Sequence, residues 1–572
     1  MSGEMSLDKR SSQLPGWAEE LRRRYLSGES TLFILHGNVH DLVQSPDDPQ
    51  QYVPLREFLA RFLGRSKEVV AFYNQSEGLV FPETRMADSF TRTLNTARTK
   101  KRKPPVESPL PREPRPILDA LEEYLLLKET RAAVVLDFVE TVVPEATLAF
   151  LSGDDKAHLV TLQRWATDPR MLGSDNLVLL VTEQLADVNR KLVNNPQLGA
   201  FHITLPDEAE RLSFLGYLCG RYKQEGLPLE QLAAVTAGLT RVQLEGIFRQ
   251  SWESKQPVTV EVVAQRKKEI IERECFGLVE FIDAKHDFTK VGGMEHVKTV
   301  LGRIVQAIRK GQKRRCPMGV LFVGPMGTGK TFLAEAFATE SGLTCVKLKN
   351  FRDRWVGSTE ANLEKILGVI DAMGYVLVII DEGDRSIGGN AGDGDGGTSS
   401  RVIARLKEFM SDTSHRGRIV FLMMTNRPDK LDADMKRSGR FDMKIPFFFP
   451  ATAEERENIF KALLRKNQVQ HSVEDFERVV QLTAGYSGAE IEAIILSALG
   501  FAYDEGFDTV TAEYLQRAAE DFIPSRDMAM IDYMELLAVF ECSSRAMLPP
   551  KYQGLSTEEL NLRLRQMRTT LL

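Results

Sequence analysis

GVLFVGPMGTGKT, residues 319–331, joins an apolar run to a glycine-rich turn that ends in lysine and threonine. GVLFV is the length of a strand. Its unbroken apolar character suits a strand buried on both faces of a parallel sheet. The turn fits G-x-x-x-x-G-K-[ST], a loop whose backbone N–H groups cradle phosphates. Gly324, Pro325, Gly327, Thr328 and Gly329 supply that backbone. Lys330 is placed to reach the β- and γ-phosphates and Thr331 to hold Mg²⁺. The helix opened by Lys330, Thr331 and Phe332 turns its positive end toward the phosphates. Strand, loop and helix occur in the required order, so a nucleotide site is expected here.

Two further apolar runs supply the chemistry. VLVII (376–380) ends in Asp381 and Glu382. The first acid suits the Mg²⁺ shell; the second can orient and deprotonate an attacking water. A protein that only binds nucleotide has no need of the second acid, so Glu382 predicts hydrolysis. IVFLMMT (419–425) ends at Asn426, a polar group expected beside the γ-phosphate. Arg437 and Arg440 follow on a loop, spaced so that each can serve as a finger on a neighbouring subunit's phosphate. The plain alternative for that pair is surface charge.

The bulk properties narrow the classes. At 572 residues the chain is long enough for three or four units of about 150 residues. With 43% hydrophobic and 27% charged residues it reads as an ordinary globular protein. A net charge of −6 offers no general attraction for nucleic acid. Five scattered cysteines with no CxxC pair suggest reduced thiols, neither a disulfide framework nor a zinc site. No apolar stretch reaches the roughly 18 residues of a membrane span. The first residues lack a signal-peptide core, so a cytoplasmic protein is expected.

Taken together, GPMGTGKT, IIDEGD, MMTNRPDKLD, RSGRFD and GYSGAEIE (485–492) resemble the AAA ATPases in order and spacing. The resemblance covers about 288–524. It implies an α/β P-loop domain with a parallel five-stranded sheet flanked by helices, then a helical lid. It also implies assembly as a hexameric ring with ATP and Mg²⁺ between subunits. On it, Lys330 and Thr331 are the Walker A residues and Asp381 and Glu382 the Walker B acids. Asn426 is the sensor, and Arg437 and Arg440 are the fingers acting in trans. Gly488 and Ala489 bring the lid to the nucleotide, and Val291 and Gly292 face adenine. Three positions depart from the pattern: Met326 for a proline, Gly383 for an apolar residue, and Lys290 for an acid. None removes a catalytic group.

After the second strand, TCVKLK (344–349), comes Trp355-Val356-Gly357. By the same resemblance this aromatic–apolar–glycine triplet looks into a central pore and grips polypeptide; its plain alternative is packing of Trp355. The glycine-rich loop 385–401 fits a second, mobile pore loop or a bare surface loop. No HExxH follows the lid, so a built-in peptidase is not expected. Beyond Pro524 the sequence suggests an apolar helix, a break at PPKY, and a charged amphipathic helix. The neighbouring subunit or a partner could take that tail.

The first half repeats the second without its motifs. LFILHG (32–37) aligns with GVLFVG, AAVVLDF (132–138) with VLVIIDE, and LVLLVTE (177–183) with IVFLMMTN. FHITLP and the helical segments after it continue the match, a repeat of roughly 270 residues. Yet no lysine follows Gly37, Phe138 stands where the second acid belongs, and Glu140 falls two residues late. A degenerate AAA-like domain is expected, with one working site per chain. His36, His40 and Asp41 leave open a site of other chemistry, although no third metal ligand accompanies the two histidines. The tandem of a degenerate and a working domain is similar to AAA proteins encoded in cyanobacteria and plastids as conserved reading frames.

The expected organisation is a tail (1–15), the degenerate domain (16–260) with a disordered basic, proline-rich insertion (99–116), and a helical linker (261–287). The ATPase domain (288–450), its lid (451–525) and a helical tail (526–572) follow. The insertion could meet an acidic partner; without interleaved aromatics, nucleic acid is not favoured. The expected function is remodelling of a protein client or complex by threading through a ring. The alternative is a nucleotide-dependent scaffold or switch.

Overall fold

Side-chain alternation builds two sheets of the same design. The computed structural model describes residues 14–571, apart from 107–108, 225, 256, 284–285, 350–358, 384–397, 438 and 525–526. The chain divides into two compact units at Lys267 and Lys268, inside the helix Val260–Glu274. In the first unit the strands are β1 (Leu32–Gly37), β2 (Leu42–Gln44), β3 (Tyr52–Pro54), β4 (Val69–Asn74), β5 (Gly78–Val80), β6 (Ala132–Asp137), β7 (Leu177–Thr182) and β8 (Gly199–Ile203). Apart from the β2–β3 hairpin they form one sheet, ordered β5-β4-β6-β7-β1-β8. In β1, Phe33 and Leu35 enter one core with Phe58, Val70 and Val135. Leu32 and Ile34 enter the opposite core with Leu121, Val134 and Trp165. Both faces are covered by helices, which is why these strands read as unbroken apolar runs.

The second unit holds β9 (Val279–Phe281), β10 (Gly319–Val323), β11 (Thr344–Leu348), β12 (Val376–Ile380), β13 (Ile419–Thr425) and β14 (Met443–Pro446), ordered β14-β10-β13-β12-β11-β9. Matching β8 to β14, β1 to β10, β7 to β13, β6 to β12 and β4 to β11 gives the same parallel order twice. This places both units in the α/β P-loop class.

Both sheets keep the five parallel strands expected. Each sheet gains a sixth, antiparallel edge strand, recruited from a different part of the chain. In the first unit β5 folds back on β4. Asn74 Oδ1 accepts from the N–H groups of Ser76 and Glu77, and Gly78 takes φ +80°, so N-Q-S-E-G is the turn. In the second, β9 pairs with β11 and comes from the supposed helical linker.

The insertion 99–116 is also corrected. Helices Thr84–Lys100 and Pro114–Leu125 claim its ends. Asn95 Oδ1 accepts from Val106 N–H at 2.7 Å, Lys103 meets Glu123 at 2.6 Å, and the Tyr73 hydroxyl donates to Arg112 O at 2.9 Å. Val106 and Leu110 pack on the core. Basic and proline-rich composition pointed to disorder; these anchors are contributed by other segments.

The repeat extends to buried polar detail. Arg211, 4% exposed, donates to Ala233 O and Pro206 O; Arg456, 7% exposed, donates to Val480 O and Pro450 O. Each ties the start of a helical lid to its next helix. Capping boxes recur as Asp207/Glu210 and Thr240/Gln243 in one lid, and Thr452/Glu455 and Ser487/Glu490 in the other.

The tail packs on its own subunit. Helix Met528–Glu541 is buried on most of its surface against β14, β10 and the Pro428–Lys430 turn, and Thr557–Leu571 packs across it.

Candidate functional site

The loop after β10 is held open by glycines where other residues do not fit. Gly324 has φ +154°, and a Cβ there would lie 2.2 Å from Phe447 O. Gly327 (φ +76°) and Gly329 (φ +82°) complete the turn into helix Lys330–Ser341. Thr328 Oγ1 donates to Pro325 O at 2.9 Å. Lys330 Nζ donates to Gly324 O (2.9 Å), Pro325 O (2.7 Å) and Asn426 Oδ1 (2.8 Å). The lysine on one strand–helix junction thus meets the polar end of β13.

Asp381 and Glu382 lie at the end of β12. Asp381 Oδ2 pairs with Lys347 Nζ at 3.0 Å, and Glu382 takes φ +47°. Lys347 was not singled out in the sequence, although a lysine inside the apolar strand β11 is a visible signal. Gly383 gains a reason: a Cβ there would sit 2.5 Å from Met423 Sδ, so methionine fills the space of the missing apolar side chain. Thr331 and Asp381 are oxygen ligands of the kind Mg²⁺ takes when phosphates and water supply the rest. No cluster of three or more His, Cys, Asp or Glu able to hold a metal occurs among the described residues.

The lid reaches this loop from above. Ala489 N–H donates to Gly327 O at 3.2 Å, and helix Gly488–Asp504 begins there. A Cβ on Gly292 would strike Asn458 O and Ile459 Cα, each at 2.6 Å, so the Val291–Gly292 segment presses on the lid. Lys298 Nζ donates to Val291 O at 2.6 Å. Phe332 is stacked by His286 at 3.9 Å between centroids, with Lys466 Nζ 5.0 Å from its ring. His286 also went unnoticed in the sequence.

The two arginines separate in role. Arg437 is 75% exposed at its side chain, and among the described residues it pairs with the i−3 partner Asp434, at 3.1 Å. Arg440 is tethered within its own subunit, donating to Asp434 O (2.6 Å), Ser411 Oγ (2.9 Å) and Lys407 O (3.3 Å). Trp355, Val356, Gly357 and residues 385–397 lie outside the described residues.

In the first unit the equivalent loop is closed by protein groups. Gly37 keeps its positive φ of +95°, and a Cβ there would meet Ile203 O at 2.6 Å. Asp41, 2% exposed, then accepts from Asn38 Nδ2 and from Val242 N–H, both at 2.9 Å. Arg241 lies 3.7 Å from the same carboxylate and donates to Leu42 O. Phe138 takes φ +55°, the conformation of Glu382, and stacks on His40 at 5.6 Å. His36 stacks on His202, and burial, with that neighbouring histidine, pushes its pKa down to about 4. A cavity of about 420 Å³ opens at these strand ends, lined by Glu77, Asp137 and Glu183 among others. Its one arginine, Arg56, is paired with Glu77 at 2.6 Å. Burial, offset in part by Arg56, raises the Asp137 carboxyl to about 6. The lining holds no lysine to offset the charge of a triphosphate.

Four family models match the chain. Residues 320–449 match the ATPase family associated with various cellular activities (AAA), and 474–517 an AAA+ lid domain. Residues 8–204 match the AAA+ chaperone N-terminal Rossmann-like domain, and 209–276 its second helical domain. The second half thus carries an AAA domain with an AAA+ lid, and the first half a Rossmann-like and helical pair of the AAA+ chaperone type.

Among relatives, it is similar to an uncharacterized AAA domain-containing protein ycf46 from Trieres chinensis, 32% identical over 43% of this chain and 50% of that one. It is 28% identical to an ATPase family protein 2 homolog of Caenorhabditis elegans, over 54% of this chain and 44% of that one. It is 27% identical to a cell division cycle protein 48 homolog of Archaeoglobus fulgidus, over 48% and 41%. The chain thus spans half or less of the length of the curated relatives it matches.

Proposed function

We propose that the protein is an ATP-driven remodelling machine of the cytoplasm. It binds ATP with Mg²⁺ in its second half, hydrolyses it there, and assembles as a ring, a hexamer, of like subunits. The observation that carries this is the convergence of Lys330, Asp381, Glu382 and Asn426 at the ends of β10, β12 and β13, with Lys330 Nζ 2.8 Å from Asn426 Oδ1. Bound Mg²⁺ would neutralise developing phosphate charge, with Thr331 and Asp381 holding it. Glu382 orients and deprotonates the attacking water, Asn426 positions it, and Lys330 holds the β- and γ-phosphates. Arg437 of one subunit reaches the phosphate of the next; its exposure supports that role better than the tethered Arg440. Val291, Gly292, Gly488 and Ala489 bring the lid over the nucleotide, so each cycle moves lid against loop. Trp355-Val356-Gly357 grips a protein segment in the pore. Nucleotide does not bind in the first half.

The test is a trap. Glu382→Gln should bind ATP and stall, and client proteins should co-purify with it in ATP. The double variant Glu382→Gln/Trp355→Ala should release them. If the same proteins stay with both variants, they bind outside the pore, and a nucleotide-dependent scaffold or switch replaces threading.

A further inference from the structure

The C-terminal tail carries a buried carboxylate that the ATPase site does not use. Glu541 ends helix Met528–Glu541 and is 8% exposed. Its Oε1 accepts from Lys436 Nζ and its Oε2 from Lys444 Nζ at 2.9 Å. Lys436 is the residue before Arg437, and its ammonium also donates to Pro428 O at 3.0 Å. Pro428 lies two residues after Asn426. One buried carboxylate therefore joins the start of the 426–444 segment, its middle and its end. Backbone contacts reinforce the joint: Lys444 N–H donates to Ser543 Oγ at 2.7 Å, and Ser543 N–H to Lys444 O at 3.1 Å. Upstream on the same helix, Tyr533 lies under the Arg427 guanidinium, 5.3 Å from its carbon, and its hydroxyl reaches Asp429.

Two lysines turned toward one spot repel each other unless an acid lies between them. Removing that acid leaves two largely buried charges uncompensated, and the loop must open to hydrate them. Arg437 O accepts from Arg440 N–H at 3.2 Å, and Glu541 holds the residue on its other side through Lys436. The exposed arginine side chain pairs with Asp434 among the described residues.

We propose that Glu541 is a positioning residue for Arg437: the tail sets the reach of the finger that completes the next subunit's site. This rests on the shared-site reading above. A finger displaced by an ångström loses about a hundredfold in rate. The Glu541→Gln side chain keeps the shape and loses the charge, so full-length Glu541→Gln should turn over at least about tenfold more slowly, with ATP affinity unchanged.

The deciding experiment mixes subunits. Glu382→Gln subunits do not hydrolyse but carry intact arginines. Mixed with them, Glu541→Gln subunits borrow a correctly held Arg437, and turnover per Glu541→Gln subunit should rise as it does for Arg437→Ala subunits in the same mixture. Should Glu541→Gln not fold, Lys436→Gln loosens the same joint and should behave alike. Wild-type turnover in the folded variant would overturn the proposal. So would a loss that the mixture restores for Arg437→Ala but not for Glu541→Gln. If the mixture fails to restore Arg437→Ala, the shared site falls, and the inference with it.

Discussion

The loops that follow β1 and β10 leave equivalent strands and arrive at equivalent lid helices, yet they are closed by different means. In the second unit Gly327 and Gly329 turn the loop at positive φ, and the lid meets it through Ala489 N–H and Gly327 O, 3.2 Å apart. In the first, Asp41 supplies a carboxylate of its own to the start of helix Arg241–Ser254, through Val242 N–H and Arg241. A helix N-terminus favours an anion. In the second unit that contact runs backbone to backbone; in the first a side chain makes it. The lesson is that the first unit differs from the second by more than a missing lysine. Its lid is bonded to the loop by a side-chain carboxylate. The ends of β12 and β6 follow the same contrast: Glu382 and Phe138 share a left-handed backbone, but one carries a carboxylate and the other a ring stacked on His40.

The contrast can be broken or sharpened by substitution. The largest effect should come from Arg437→Ala, which should lower turnover by about 10³-fold or more while ATP still binds, read by steady-state hydrolysis beside a binding titration. Arg440→Ala should act differently, loosening the loop that its three acceptors hold. Next, Glu382→Gln should lower turnover by about 10²–10⁴-fold. Its counterpart, Phe138→Glu, restores an acid to the first unit and should add no turnover, because the loop after β1 still lacks a lysine and a nest of N–H groups. Hydrolysis that appears in Phe138→Glu on a Lys330→Ala background would break the comparison.

A smaller effect belongs to the latch. Asp41→Ala leaves the Val242 N–H without its acceptor, while Arg241 keeps Glu210 at 3.3 Å, and should cost the first unit about 1–3 kcal/mol. Hydrogen exchange should rise along 241–254, and ATP affinity should not move. Smallest is Asp137. Its carboxyl is raised to about 6 by burial, above its ordinary value of 3.8. The folded state therefore favours the protonated form, and stability falls as pH rises through that window. Asp137→Asn should stabilise the first unit at pH 7 by about 1–2 kcal/mol, allowing for partial hydration. The gain should vanish near pH 4 in urea melts.

Much of this was legible in the residues. A P-loop, two acids after a buried strand and a polar residue after the next are local signals, and their order implied the sheet. The repeat was legible too, because strands buried on both faces keep an apolar run after the motifs have gone. What could not be read was set by distant partners. The strand Val279–Phe281 is too short to announce itself and exists through pairing with β11. The basic insertion looked disordered because its anchors, Asn95, Glu123 and Tyr73, lie outside it. The different exposure of Arg437 and Arg440 depends on Ser411 and Lys407, far upstream. The tail's packing turns on Glu541 meeting two lysines about a hundred residues away.

The central claim is one working nucleotide site per chain, and stoichiometry tests it most directly. Calorimetric titration of full-length Glu382→Gln with ATP and Mg²⁺ should give one nucleotide per chain, and the same titration on Glu382→Gln/Lys330→Ala should give none. Two nucleotides per chain in the first, or one remaining in the second, would show that the Asp41-latched unit binds nucleotide after all.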